Sequence, residues 1–132
     1  MLDSLYKIAD NENIVIRRNC PEALVAIAIR FPDDSMLIAL SHLMCAPRGA
    51  SLAELLAHEL GHCLTNSFYK TFTKEERRLC EDKANMWAIQ HVMPLSEVEK
   101  AKANGVQSVR ALSQRFRVSR DFVRRALAYY GT

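Results

Sequence analysis

Residues 58–62, His-Glu-Leu-Gly-His, constrain this chain more than any other feature of its sequence. They lie inside a segment from Ser51 to about Phe68 in which leucines recur at helical spacing. Ser51 and Glu54 form the pattern of a capping box at its start. On a helix the two histidines stand one turn apart on the same face. The sequence therefore predicts an amphipathic helix that presents two imidazoles to one point.

Two imidazoles in this arrangement indicate a metal site, because zinc takes neutral imidazole nitrogens as ligands and the spacing brings both to one ion. A catalytic zinc keeps one position open and acidifies a water molecule there. Glu59 projects beside the histidines and is the predicted general base that accepts the proton of that water. We predict one zinc ion per chain, with His58 and His62 as ligands.

A catalytic zinc usually has a third protein ligand, which must come from another segment. A second predicted helix, from about Lys74 to Val92, contains Glu81 and, one turn later on the same face, Asn85. We predict that Glu81 binds the metal and that Asn85 supports a histidine imidazole without binding the metal itself. Asp82, which points about 100° aside on a helix, is the alternative ligand.

Two further histidines are candidates for contact with the substrate or the transition state. His42 follows the apolar segment 36–40, and His91 lies near the end of the second long helix. Either imidazole could polarise a substrate carbonyl. The alternative for both is an ordinary packed or surface histidine.

The first part of the chain predicts a small sheet. A helical segment at the N-terminus leads into the β-rich run Ile14–Ile16, and two apolar runs, 24–29 and 36–40, flank turn residues at 32–35. We predict a mainly helical α+β fold with a small three-stranded sheet, antiparallel or mixed, packed on the helix that carries His-Glu-Leu-Gly-His. A substrate strand is expected to pair with the sheet edge near Met36–Leu40.

The chain after Pro94 is basic and helical. Residues 97–132 carry eight basic and three acidic side chains. Residues 112–123 look like a small helix-turn-helix in which Arg117 replaces a turn glycine. Ser96, Ser108 and Ser119 are the predicted caps of three short helices. We predict a metal-binding core at 1–94 and a C-terminal helical subdomain at 95–132 within the same compact unit.

No apolar stretch approaches the roughly 18 to 20 residues that cross a bilayer, and the N-terminus lacks a basic region followed by an apolar run. The four cysteines are scattered singly, without a Cys-x-x-Cys pair. We therefore expect reduced thiols, a cytoplasmic location and no membrane partner.

With these residues in place, the chain resembles the ImmA/IrrE family of zinc metallopeptidases. The resemblance rests on Leu-Ala-His-Glu-Leu-Gly-His at 56–62, on Glu-x-x-Ala-Asn-x-Trp-Ala at 81–88 and on Met-Pro at 93–94, in the family's order and approximate spacing. Trp87 stands where the family usually has Phe, and Lys83 where a second Glu is common. These departures concern packing and surface charge.

Members of this family, known from mobile genetic elements and stress regulators of bacteria, are understood to cleave or inactivate helix-turn-helix repressors. The resemblance implies a gluzincin-like zinc metalloendopeptidase whose partner is a cytoplasmic protein substrate, a repressor of this kind. The alternative is a non-catalytic zinc-containing regulator that binds a partner protein or DNA. Glu59 favours catalysis, because a purely structural zinc needs no base beside its ligands.

DNA is a weaker partner prediction than protein. Family members carry similar C-terminal helices as part of the peptidase domain, so a solvated helical surface is favoured over a DNA-binding one. The basic positions concerned are Arg115, Arg117, Arg120, Arg124 and Arg125.

Overall fold

The computed structural model of the protein describes residues 2–20, 26–41, 51–69 and 73–132. In chain order its elements are α1 (Leu2–Asn11), β1 (Ile14–Cys20), β2 (Ala26–Arg30), β3 (Met36–Ser41), α2 (Leu52–Leu64), α3 (Lys74–Val92), α4 (Leu95–Ala103), α5 (Val109–Phe116) and α6 (Arg120–Tyr130). The predicted α+β fold, mainly helical with a small three-stranded sheet, is confirmed.

The sheet is mixed and has the strand order β1-β3-β2. β2 and β3 form the predicted hairpin, whose turn is held by the Asp33 carboxylate accepting from Ser35 N at 3.0 Å and from Ser35 Oγ at 2.6 Å. β1 pairs with the other side of β3 in parallel. The expected substrate edge at Met36–Leu40 is therefore wrong, because β3 is the central strand and both of its sides are paired. Among the described strands, β2 and β1 form the edges.

α2 begins with the predicted capping box. Ser51 Oγ accepts from Glu54 N at 3.2 Å, and Ser51 N donates to the Glu54 carboxylate at 2.8 Å. The helix ends at Leu64, earlier than the predicted Phe68. Thr65 Oγ1 donates to a carbonyl in the last turn at 2.7 Å, and Asn66 adopts a left-handed conformation with φ 50°, which turns the chain away from the helix axis.

α2 and α3 lie in close contact at Gly61. A Cβ on this residue would lie 2.5 Å from the carbonyl oxygen of Ala84 and 2.9 Å from its Cα, so the position admits only hydrogen. The partner at this contact is the backbone of α3. This contact sets the position of α3, and of Glu81 on it, relative to the histidines.

The C-terminal helices differ from the prediction in one cap. Ser108 and Ser119 cap α5 and α6, but α4 begins immediately after Pro94, so Ser96 lies inside its first turn. Proline ends α3 because it cannot continue the backbone hydrogen bonds, and its fixed φ suits the entry of the next helix. Arg117 is left-handed, with φ 57° and ψ 46°, at the position where glycine was expected.

One buried carboxylate joins α2 to α6. Glu54, besides closing the α2 capping box, accepts from Ser119 N at 2.8 Å and from Ser119 Oγ at 2.7 Å. It therefore binds the N-termini of both α2 and α6. The buried core is continuous from the sheet through α2 to Phe122 and Val123 of α6. The division of the chain at Pro94 into two units stays a prediction.

Cys63 and Cys80 are free and buried, as expected, while Cys45 and the side chain of Cys20 lie outside the described residues. No described helix is both long and apolar enough to cross a membrane.

Candidate metal centre

The two histidines of α2 meet one carboxylate of α3. The Nε2 atoms of His58 and His62 lie 3.2 Å apart, with their ring planes at 86°. Glu81 Oε1 lies 3.3 Å from His58 Nε2, and its Oε2 lies 2.7 Å from His62 Nε2. Three side chains nominated from the sequence thus place donor atoms at one point, while Asp82, the alternative ligand, is exposed.

The opposite nitrogens of both imidazoles have acceptors. His58 Nδ1 lies 2.8 Å from Asn85 Oδ1, and His62 Nδ1 lies 2.7 Å from the backbone oxygen of Ser67. A carbonyl oxygen only accepts, so each Nδ1 carries the proton and donates it. In the neutral imidazole the remaining lone pair is then on Nε2, directed at the shared point, which is the form that binds a metal.

This donor set fits a metal ion. In a tetrahedral site with metal–nitrogen distances of about 2.0–2.1 Å, neighbouring ligand atoms are about 3.3 Å apart. Two of the three observed separations, 3.2 Å between the two Nε2 atoms and 3.3 Å from His58 Nε2 to Glu81, agree with that edge length. The third, 2.7 Å from His62 Nε2 to Glu81, is a hydrogen-bond distance. Two nitrogen lone pairs and a carboxylate so close together repel one another unless a cation or a proton lies between them.

The side chains of the cluster shift one another's pKa values. Burial by itself raises the pKa of Glu81, but hydrogen bonds from His58 and His62 hold it far below its usual range. Burial lowers the pKa of His62, and the contacts with Glu81 and with Ser67 O outweigh it, so the net shift is upward. A proton and a metal ion would compete for the same Nε2 lone pair, so a metal ion that bound here would displace a proton from a protonated imidazole.

Glu59 lies beside the donors and is buried, with 6% of its surface exposed. It offers an oxygen within 4.8 Å of ligand atoms of both histidines. Its Oε2 has no hydrogen-bond partner among the described residues. Burial raises the pKa of the Glu59 carboxyl, against the opposing influence of His58 and His62. A buried carboxylate with one unpartnered oxygen next to a metal site is suited to accept a proton.

Two cavities flank the histidines. The sheet-side cavity, about 320 Å³, is lined by β2 residues Ala26–Ala28, by the loop 67–69 and by the metal-site residues. The α6-side cavity, about 520 Å³, lies between α2, α3 and α6. Leu55, His58 and Glu81 line both, so the cavities meet at the metal site.

Sequence reasoning missed the loop that follows α2. Ser67 supplies the acceptor for His62, and the ring of Tyr69 packs edge-on to that imidazole, with centroids 6.2 Å apart. Burial and a hydrogen bond with Glu81 raise the pKa of Tyr69 to about 12. No spacing rule identifies these residues, because their positions depend on where α2 ends and how the chain turns at Asn66.

One of the two other nominated histidines, His91, lies in the described part of the chain. His42 lies outside the described residues. His91 is exposed, stacks on Trp87 with ring centroids 3.8 Å apart and places Nδ1 2.9 Å from Trp87 O. It follows Glu81 by about three turns of α3, roughly 15 Å along the helix axis. The structure does not bring His91 to the metal-site residues.

α2 carries the His-Glu-x-x-His pattern, α3 adds a carboxylate, and a small sheet lies alongside. This arrangement is typical of the His-Glu-x-x-His metallopeptidase type. The chain belongs to the peptidase M78 family: the family model, described as the IrrE N-terminal-like domain, matches residues 31–128. The match begins before β3, includes the helices α2 to α5 and ends two residues before the end of α6. The resemblance identified from the motifs is thus confirmed. Comparison with the curated proteins gave no match.

Proposed function

We propose that this protein is a zinc-dependent metallopeptidase that cleaves a protein substrate. One observation carries the proposal: two imidazole nitrogens and a carboxylate converge within 3.3 Å, beside the unpartnered oxygen of Glu59. His58, His62 and Glu81 hold the metal in this proposal. Asn85 and Ser67 O keep the two imidazoles in the tautomer that directs Nε2 at it.

Zinc, when bound, supplies Lewis acidity that makes a water molecule acidic and polarises a substrate carbonyl. Glu59 accepts the proton of the attacking water at its free oxygen and passes it to the leaving amine. Its buried position supports this role, because a carboxylate with a raised pKa is a stronger base. Glu59 and the histidines lie on one rigid helix, so the base and the ligands keep a fixed spacing.

The sheet edge supports a peptide as the substrate. β2 is an edge strand of the described sheet, and its residues Ala26–Ala28 line the same cavity as His58 and Glu59. An extended peptide can pair its backbone with this free edge and lie across the metal site. A locally extended segment of a protein is therefore the proposed substrate. The resemblance to the ImmA/IrrE family points to a helix-turn-helix repressor as that protein.

Replacing Glu59 with Gln tests the proposal. The amide keeps the size of the side chain but cannot accept a proton, so we expect zinc and fold to be retained and cleavage to fall by about a hundredfold to ten-thousandfold. Candidate repressors are co-expressed with the protein, and fragments are identified by mass spectrometry. Glu99→Gln, the same change at an exposed position on α4, is the matched control.

The alternative, a non-catalytic zinc-containing regulator, predicts the opposite result. If the Glu59→Gln variant relieves the repression exerted by a candidate repressor as well as the parent protein does, and no fragments of that repressor form, the protein acts by binding. Zinc content is measured on the same preparations, because a variant that has lost its metal gives no information about the base. A metal-free parent protein that takes up no zinc on titration would contradict both hypotheses.

A further inference from the structure

The α6-side cavity has no role in the chemistry proposed above, although it opens directly beside His58 and Glu81. Its far wall is α6, from which Asp121, Phe122 and Arg125 line it. A substrate that crosses the metal site from the sheet-side cavity must continue into this one, because the two share His58 and Glu81. The side chains of this wall therefore face the substrate on one side of the cleaved bond.

Each carboxylate that lines the cavity already has a hydrogen-bond or ion-pair partner. Glu54 accepts hydrogen bonds from Ser51 and Ser119, as described above. Asp121 forms an ion pair with Arg124 at 3.2 Å, and Glu81 faces the two histidines. Asp121 is thus paired with a cation. The oxygens of Glu54 already accept hydrogen bonds, and those of Glu81 are directed at the two imidazoles.

Arg125 differs from these residues. Its guanidinium lies over the ring of Phe122, 5.6 Å from the centroid, and makes one long contact of 3.4 Å with Asn85 Oδ1. Among the described ion pairs it has no carboxylate partner. The ring and the amide hold the guanidinium in place without neutralising it, which leaves most of its donors available for a planar anion.

We propose that the α6-side cavity is a substrate subsite for an acidic side chain, recognised by Arg125. This inference rests on the proposed function. A guanidinium binds a carboxylate through two parallel hydrogen bonds, which gives selectivity as well as affinity. Asn85 contacts both Arg125 and His58, so the selected residue lies close to the cleaved bond. The sheet-side cavity is lined by apolar residues such as Ile27 and Phe68. The preferred substrate side chains therefore differ between the two sides of the cleaved bond.

A randomised decapeptide library tests the subsite. The zinc-loaded parent protein digests the library, and mass spectrometry aligns the products on the cleaved bond. We expect Asp and Glu to be preferred over Asn and Gln by about tenfold at one position, as a charge-assisted hydrogen-bonded pair provides. Arg125→Met should abolish that preference, and Arg125→Glu should replace it by Lys and Arg. Arg115→Met, which removes the same charge from an exposed residue of α5 that does not line the cavity, should leave it unchanged.

A uniform loss of cleavage in Arg125→Met with the acidic preference intact would overturn the proposal, because Arg125 would then only position Asn85. An unchanged preference in both Arg125 variants would overturn it too. A second measurement separates the subsite from the chemistry. Zinc-loaded Glu59→Gln, with and without Arg125→Glu, captures peptides from the same library by ultrafiltration. Arg125-dependent capture of acidic peptides supports the subsite even if no variant cleaves, and capture that ignores Arg125 refutes it.

Discussion

Replacing Gly61 with Ala tests how the spacing of α2 and α3 maintains the candidate metal centre. The added Cβ would lie 2.5 Å from the carbonyl oxygen of Ala84, whereas ordinary contacts begin at 3.4 Å. The obstructing atoms belong to the backbone of α3, so no side-chain rotation relieves the contact. α3 must therefore move by about 1 Å, and Glu81 moves with it.

Two opposing terms determine the stability of this variant. Overpacking of this kind costs about 1–3 kcal/mol. Alanine is the better helix former, which offsets up to about 1 kcal/mol of that cost. The net destabilisation is therefore about 0–3 kcal/mol. Metal binding is more sensitive, because ligand distances must agree to about 0.2 Å, so we expect zinc affinity to fall by about 10-fold to 100-fold.

Urea unfolding of the metal-free protein and competition with a zinc chelator measure the two effects. Gly105→Ala is the control: it adds a methyl group at a position with φ +88° and nothing within 4 Å, so it costs backbone strain of about 1 kcal/mol and leaves zinc affinity unchanged. If Gly61→Ala is more stable than the parent and binds zinc equally well, the two helices do not touch here and the reasoning fails.

Three further outcomes are expected. Glu81→Ala should weaken zinc binding more than Asp82→Ala in a chelator competition, because only Glu81 has oxygens within 3.3 Å of both imidazoles; the reverse ranking would reassign the ligand. Arg117→Gly should stabilise the protein by about 1 kcal/mol in urea unfolding, because φ 57° is unfavourable for a residue with a Cβ; a lower midpoint would contradict this. Glu54→Gln should cost about 1.5–3 kcal/mol, because an amide places hydrogens against the donors of α2 and of Ser119. Backbone hydrogen exchange should then accelerate first in α6. If α6 stays as protected as in the parent protein, Glu54 does not stabilise α6 through Ser119.

Local sequence patterns determined most of the helices. The capping box at Ser51, the N-cap at Thr73 and the serine caps of α5 and α6 were predictable, because each involves residues within one turn of the cap. Ser96 failed as a cap because the helix start depended on Pro94, which serves both as the end of α3 and the entry to α4.

The central residues of the candidate site could also be predicted from their spacing in the sequence. Helical periodicity puts His58 and His62 on one face, and the same rule puts Glu81 one turn before Asn85. The spacing alone does not say that these two faces meet. The two faces meet because Gly61 has no side chain, which lets the backbones of α2 and α3 come close together. His58 Nε2 and Glu81 Oε1 then lie 3.3 Å apart.

Only the tertiary structure decided which elements surround the metal centre. The hairpin is a local feature, but β3 became central because distant β1 pairs with its other side, which leaves β2 as the edge beside the cavity. Glu54 is recognisable as a cap for α2, whereas its bonds to Ser119 span 65 positions in the chain. Arg125 likewise reaches Asn85 from 40 positions away. Periodicity and capping describe interactions within a turn or two of the chain, and contacts of this length arise only when the packed core brings the helices together.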